Sequence, residues 1–191
     1  MACNIRCVLD TCCRALMLVA LICALPGTAT AAGEPGPPEA MSASVLNLVK
    51  FVEWSSAPGL VPGAPIVIGV VGPDPFRGTL EEAVADKVVD GHALLVRHFS
   101  DAFNPDRCHV LVIGDLGRSD IVLILKSIAG EPVLTVGDRA DFADLGGAVA
   151  LSVESGHVRI RVNRKTLTAS RLKLSAQILR LATEPSRPEQ G

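Results

Sequence analysis

Four short apolar runs, each closed by a turn, constrain the fold of this chain more than any other feature. The first, "IVIGVVG" (Ile66–Gly72), is rich in β-branched residues and is bounded by Pro65 and Gly72. "HALLVRHF" (His92–Phe99), "HVLVIGD" (His109–Asp115) and "PVLTVGD" (Pro132–Asp138) follow it. The first of these runs reads as a buried strand, and the other three as further strands. Helical patterns separate them. Leu80 and Val84 fall on one helical face after the turn "PDPFRG". "SDIVLILKSIAG" (Ser119–Gly130) opens on a serine suited to N-capping and closes on glycine. Ahead of the first strand, Val45, Leu48, Val49 and Val52 recur at i, i+3, i+4 and i+7, which predicts a helix.

After the fourth strand, "ADFADLG" predicts a short helix, and "AVALSVESGHVRIRVN" alternates around "ESG" as a β-hairpin does. A last helical stretch runs from "NRKTLTAS" to "LSAQILRLA", broken near Arg171–Leu174. Strands alternating with helices, then a hairpin, predict an α/β sandwich: a mixed, partly parallel sheet flanked by helices, with an antiparallel edge. The length of 191 residues suits one such domain. The 49% hydrophobic content is mostly Ala, Val and Leu, as a helix-covered sheet needs.

Residues 1–31 carry a different signature. Arg6 and Arg14 precede the apolar run "ALMLVALICAL" (Ala15–Leu25), Pro26 and Gly27 break it, and Ala29 and Ala31 supply small residues for cleavage. The pattern predicts a secretory signal peptide, too short to anchor the chain stably in a bilayer; an uncleaved N-terminal anchor is the rival. Residues 32–43 are expected to be a flexible linker, 44–183 the folded domain and 184–191 a disordered tail. Cleavage would remove five of the six cysteines and leave Cys108 as a single free thiol, so no internal disulfide is available.

The patterns exclude several chemistries. A formal charge of −2 with no basic stripe argues against nucleic acid. "GVVGPDPFRG" sits where a phosphate loop would, but lacks GxGxxG and GK[ST], and Pro73 and Pro75 remove backbone donors. Cys108 and His109 are neighbours on a strand, so their side chains point to opposite faces and cannot form a nucleophilic pair. Burial as a small hydrophobe suits Cys108 better. His92, His98, His109 and His157 lack metal-ligand spacing, and the pairs Glu81–Glu82 and Asp141–Asp144 read as solvated faces. No catalytic residue, cofactor or metal site is expected.

Two binding surfaces remain. In an open α/β sheet, small ligands enter beyond the carboxyl ends of the strands, here Gly72–Phe76 and Gly114–Arg118, with Gly72, Asp74, Phe76 and Asp115 as the candidate lining. The second candidate is Trp54, the one tryptophan, in "NLVKFVEW" (Asn47–Trp54). On a regular helix it lies almost opposite the Val45–Val52 stripe. Either the helix ends near Glu53 and the ring folds back over the core, or the ring is on offer to a partner.

"NLVKFVEW", "IVIGVVGPDPF", "CHVLVIGD", "AGEPVLTVGDRADFADLGGAVALSVESGHVRIRVN" and "LKLSAQILRLA", in this order, resemble the YfiR family of exported bacterial proteins. The resemblance spans about Ser44 to Ala182 and is most specific from Gly130 to Asn163 joined to "LKLSAQILRLA". It implies a periplasmic α/β domain, often a homodimer, that binds and inhibits a membrane-bound diguanylate cyclase of the YfiN type, or another inner-membrane signalling protein. Cyclic-di-GMP would then change without nucleotide chemistry in this chain. The alternative implied is a periplasmic small-ligand-binding sensory domain. By the same analogy, hydrophobic and C-terminal surfaces would meet the partner, with Phe51, Trp54, Leu174 and Ile178 as candidates. Redox-responsive members carry cysteine pairs. Here Cys108 matches one family cysteine, Gly69 stands where its companion would lie, and the region Gly146–Leu151 has none. An intramolecular disulfide switch is therefore not expected, and an intermolecular link would need an exposed thiol.

Overall fold

The computed structural model describes residues 36–54, 60–99 and 108–181; the expected signal peptide and C-terminal tail lie outside them. The chain runs α1 (Pro37–Lys50), β1 (Ile66–Val71), α2 (Thr79–Val84), β2 (Val88–Val89), β3 (His92–Phe99), β4 (Val110–Ile113), α3 (Arg118–Ser127), β5 (Leu134–Gly137), β6 (Val149–Glu154), β7 (His157–Val162), α4 (Arg164–Ala169) and α5 (Ala176–Leu181). Seven strands form one sheet in the order β2-β3-β1-β4-β5-β6-β7. The inner strands from β3 to β6 are parallel, and β2 and β7 pair antiparallel at the two edges. The fold is thus α/β with a partly parallel sheet.

Strand alternation divides the core in two. Ile66, Ile68 and Val70 of β1 point to a layer shared with Val45, Leu48 and Val49 of α1, Leu80 of α2 and Leu167 of α4. Val67 and Val71 point the other way, toward Ile121 and Leu125 of α3 and toward Phe142. Both faces of β1, β4 and β5 are covered, and all their residues are buried. That is why these runs lack polar alternation.

Four local departures from the sequence expectations have physical causes. Helix α1 begins at Pro37, inside the stretch expected to be linker, because prolines fit the first helical positions, where the missing N–H would be unpaired anyway. Met41 and Ser42, on this early turn, are already buried. Helix α3 is capped by Gly117, one residue before Arg118, and not by the Ser119 side chain. Residues 140–146 are consecutive turns and not a short helix. Phe142, fully buried, lies so close over Gly137 and Gly147 that a Cβ on either would stand 2.3 and 2.0 Å from its ring, and this packing holds the segment down. Strand β2 went unpredicted; it is two residues long and turns into β3 through Asp90 and Gly91, both at positive φ.

Candidate partner-binding site

The α1 helix ends at Lys50, and the chain then leaves the helical path. Had it continued, the carbonyl of Val49 would have accepted from the N–H of Glu53. That N–H goes instead to Lys173 O at 3.0 Å, and the N–H of Ser175 returns to Phe51 O at 2.8 Å. Val52 and Leu174 are thereby joined as an antiparallel bridge. The abandoned Val49 carbonyl is taken by the indole N–H of Trp54 at 2.6 Å. A tryptophan at position 54 therefore terminates α1 from below and fills the space beneath the turn.

Trp54 is 1% exposed, which resolves the two outcomes the sequence left open: the ring folds over the core. Its edge meets the His109 ring at right angles, with centroids 6.2 Å apart. The backbone N–H of Val67 donates to His109 Nδ1 at 3.1 Å, so the neutral ring carries its proton on Nε2. Burial, and secondarily the charge of His92, hold the His109 pKa below its ordinary value. Trp54 and His109 together tie the end of α1 to the starts of β1 and β4.

Of the residues expected at a partner surface, Leu174 and Ile178 are also buried, at 8% and 3% exposure. Phe51 alone is half-buried. A helical wheel puts Trp54 on the outside only if the helix continues past Lys50, which it does not. Leu174 turns inward because it is the bridge partner of Val52. The four residues do belong to one region, but three of them shape it from within. What that region offers to solvent is Phe51 and a shallow groove of about 280 Å³ lined by Glu53, Arg164, Thr168, Leu172, Lys173 and, though it is mostly buried, Leu174.

The expected ligand crevice is built differently. Gly114 passes so close to the β1 loop that a Cβ would lie 1.9 Å from Pro73 O, and Leu116 packs against Gly72. Gly114 N–H also donates to Val71 O at 2.9 Å. Backbone and a leucine occupy the space between the two strand ends. The Asp74 carboxylate accepts from the N–H groups of Phe76 and Gly78, both at 2.9 Å, and Phe76 is fully buried. Asp115 is exposed, 3.7 Å from Arg139. Gly72, Asp74 and Phe76 therefore form a packed turn, and these side chains do not converge on a ligand.

Beside that turn stands an ionic cluster that the sequence did not reveal. Arg118 and Arg139 both donate to Asp141, and Arg161 donates to Asp144 at 3.1 Å. The hydrogen bond from Arg139 holds the Asp141 carboxyl below its usual range. Asp138, next in the chain, is pushed up by burial. Cys108 is 5% exposed, and burial raises its thiol to about 12. A thiol so rarely ionised is a packing group, and it is closed to an intermolecular link in this conformation. Gly69 lies directly beside it: a Cβ there would be 3.3 Å from Cys108 Cβ. No group of three or more His, Cys, Asp or Glu among the described residues is placed to hold a metal.

Fold and site together define a doubly covered α/β domain whose first helix is clasped by its own C-terminal segment. The YfiR/HmsC-like family model matches residues 39–183, most of the chain, and the chain belongs to that family. The family is regulatory rather than catalytic and is associated with the periplasm. Among the described residues no helix is long and apolar enough to cross a membrane.

Proposed function

We propose that this chain is an exported periplasmic regulator that binds an inner-membrane signalling protein and holds it in an inactive conformation. The partner favoured by the family relationship is a membrane-bound diguanylate cyclase, so cyclic-di-GMP would change without chemistry in this chain. Family membership across residues 39–183 is the observation that carries the proposal. Such a regulator acts only through a difference in affinity for two partner states, since equal affinity shifts nothing. The contact surface is assigned to Phe51 and the groove around Lys173, with Trp54, Leu174 and Ile178 setting its shape from inside.

The test is a deletion of the gene followed by a cellular cyclic-di-GMP measurement. The nucleotide is expected to rise, to return to normal with the native gene, and to stay high with Phe51→Asp or Lys173→Glu carried on an otherwise folded protein. Unchanged cyclic-di-GMP in the deletion strain would overturn the cyclase assignment. Full rescue by both variants would overturn the surface.

A further inference from the structure

On the α3 side of the sheet, at the end opposite the loops after β1 and β4, lies a cavity of about 350 Å³. Its size falls in the range of small-molecule sites. One wall is the last turn of α3 and its cap, where Leu125 and Ile128 are buried. The floor is Val133 and the start of β5, with Val133 and Thr135 on the same face of the extended chain. The opposite wall is α4 and its cap, which present Lys165 and Ser170.

The polar groups in this lining fall into two sets. Asn163 and Thr166 are spent: Asn163 accepts from Thr166 N–H and donates to Ala143 O, and Thr166 donates to Gly146 O. Three others retain donors. Ser170 is 6% exposed, yet its hydroxyl has no partner among the described residues. Thr135, 4% exposed, accepts from Ala148 N–H at 2.8 Å and keeps its own O–H proton free. Lys165 has no carboxylate partner among the described residues, and no Asp or Glu lines the cavity. Hydroxyl donors left open in the lining, with a cation and no acid beside them, are complementary to an anionic acceptor, since hydrogen bonds to a charged acceptor are the stronger ones. The rest of the lining is aliphatic.

We infer that this cavity binds a small amphipathic carboxylate, its head on Lys165, Ser170 and Thr135 and its aliphatic tail against Leu125, Ile128 and Val133. The cavity and the groove around Lys173 share α4 but no lining residue, and occupancy of the cavity can be measured whichever partner the protein restrains.

The experiment is isothermal titration of the purified full chain with sodium octanoate, with octanol and octylammonium chloride as probes of the head group. Octanoate is expected to saturate a single site, with octanol about tenfold weaker and octylammonium weaker still, as loss or reversal of a charge-assisted contact requires. Lys165→Met, at an exposed position, is expected to level octanoate with octanol. Ala169→Phe on the cavity wall is expected to remove binding of both, with circular dichroism showing the fold retained. Equal affinity for the three heads would overturn the inference. So would octanoate binding that never saturates, or binding that survives Ala169→Phe in a folded protein.

Discussion

Replacing Trp54 by alanine is expected to act through the stability of the fold and not through a lost partner contact. The ring is 1% exposed, donates to Val49 O and abuts His109, so its removal leaves a large void and an unpaired carbonyl at the end of α1. Truncations of this kind cost about 3–5 kcal/mol. In a chain of this size each kcal/mol lowers the midpoint by about 2–4 °C, so a fall of about 10 °C is expected. Trp54→Phe separates the two contributions. It keeps most of the apolar volume but deletes the indole N–H, and an unsatisfied buried acceptor costs about 1–3 kcal/mol. Thermal melts should be followed by far-ultraviolet circular dichroism, because both variants lack the fluorophore. A Trp54→Ala midpoint within about 2 °C of the parent would refute the reasoning. If cyclase inhibition were lost in that same stable variant, the ring would be a contact and not a core group.

Three further outcomes follow from the geometry. Gly114→Ala forces a Cβ to within 1.9 Å of Pro73 O, and backbone cannot rotate away as a side chain can; a severe loss of soluble folded protein is expected, and a melt matching the parent would count against the close approach. Protonating His109 removes the acceptor used by Val67 N–H, and its folded pKa lies below the unfolded value of 6.5. The unfolded state therefore takes up the proton first, and this contribution is present above about pH 6.5 and lost as pH falls below it. His109→Asn, which retains an acceptor near the same point, should flatten the stability profile between about pH 7 and 5, and an unchanged slope would exclude His109 as its source. Gly69→Cys places two Cβ atoms about as close as a disulfide requires, once the Phe99 ring 2.5 Å away rotates aside. Oxidation should then remove both thiols by mass and add about 2–4 kcal/mol of stability, whereas two free thiols after oxidation would show that the vectors do not align.

The centre of the sheet was legible because β1, β4 and β5 are buried on both faces and announce this in nearly continuous apolar runs, whereas β3, read as a strand from its apolar run, is half-exposed along its length. Strand β2 left a signal that could have been read: Asp90–Gly91 is a tight-turn dipeptide between the paired residues Val89 and His92, with apolar runs beyond each. The start of α1 was hidden by composition, since Pro37 and Pro38 signal a linker unless their position at a helix start is known. Trp54 could not be placed from periodicity, because its direction depends on a hydrogen bond from Glu53 to a residue far along the chain. The same limit applies to the cavity. Lys165 and Ser170 gain meaning only when α4 is set opposite the end of α3, and no local pattern records that meeting.

The bridge between Val52 and Leu174 joins segments separated by about 120 residues. Synthesis therefore makes α1 early and leaves it waiting, without its Leu174 partner, until about 120 further residues have been added. A chain cut before residue 174 would lack this lock on α1, and proteases are expected to clear it faster than a chain that carries it.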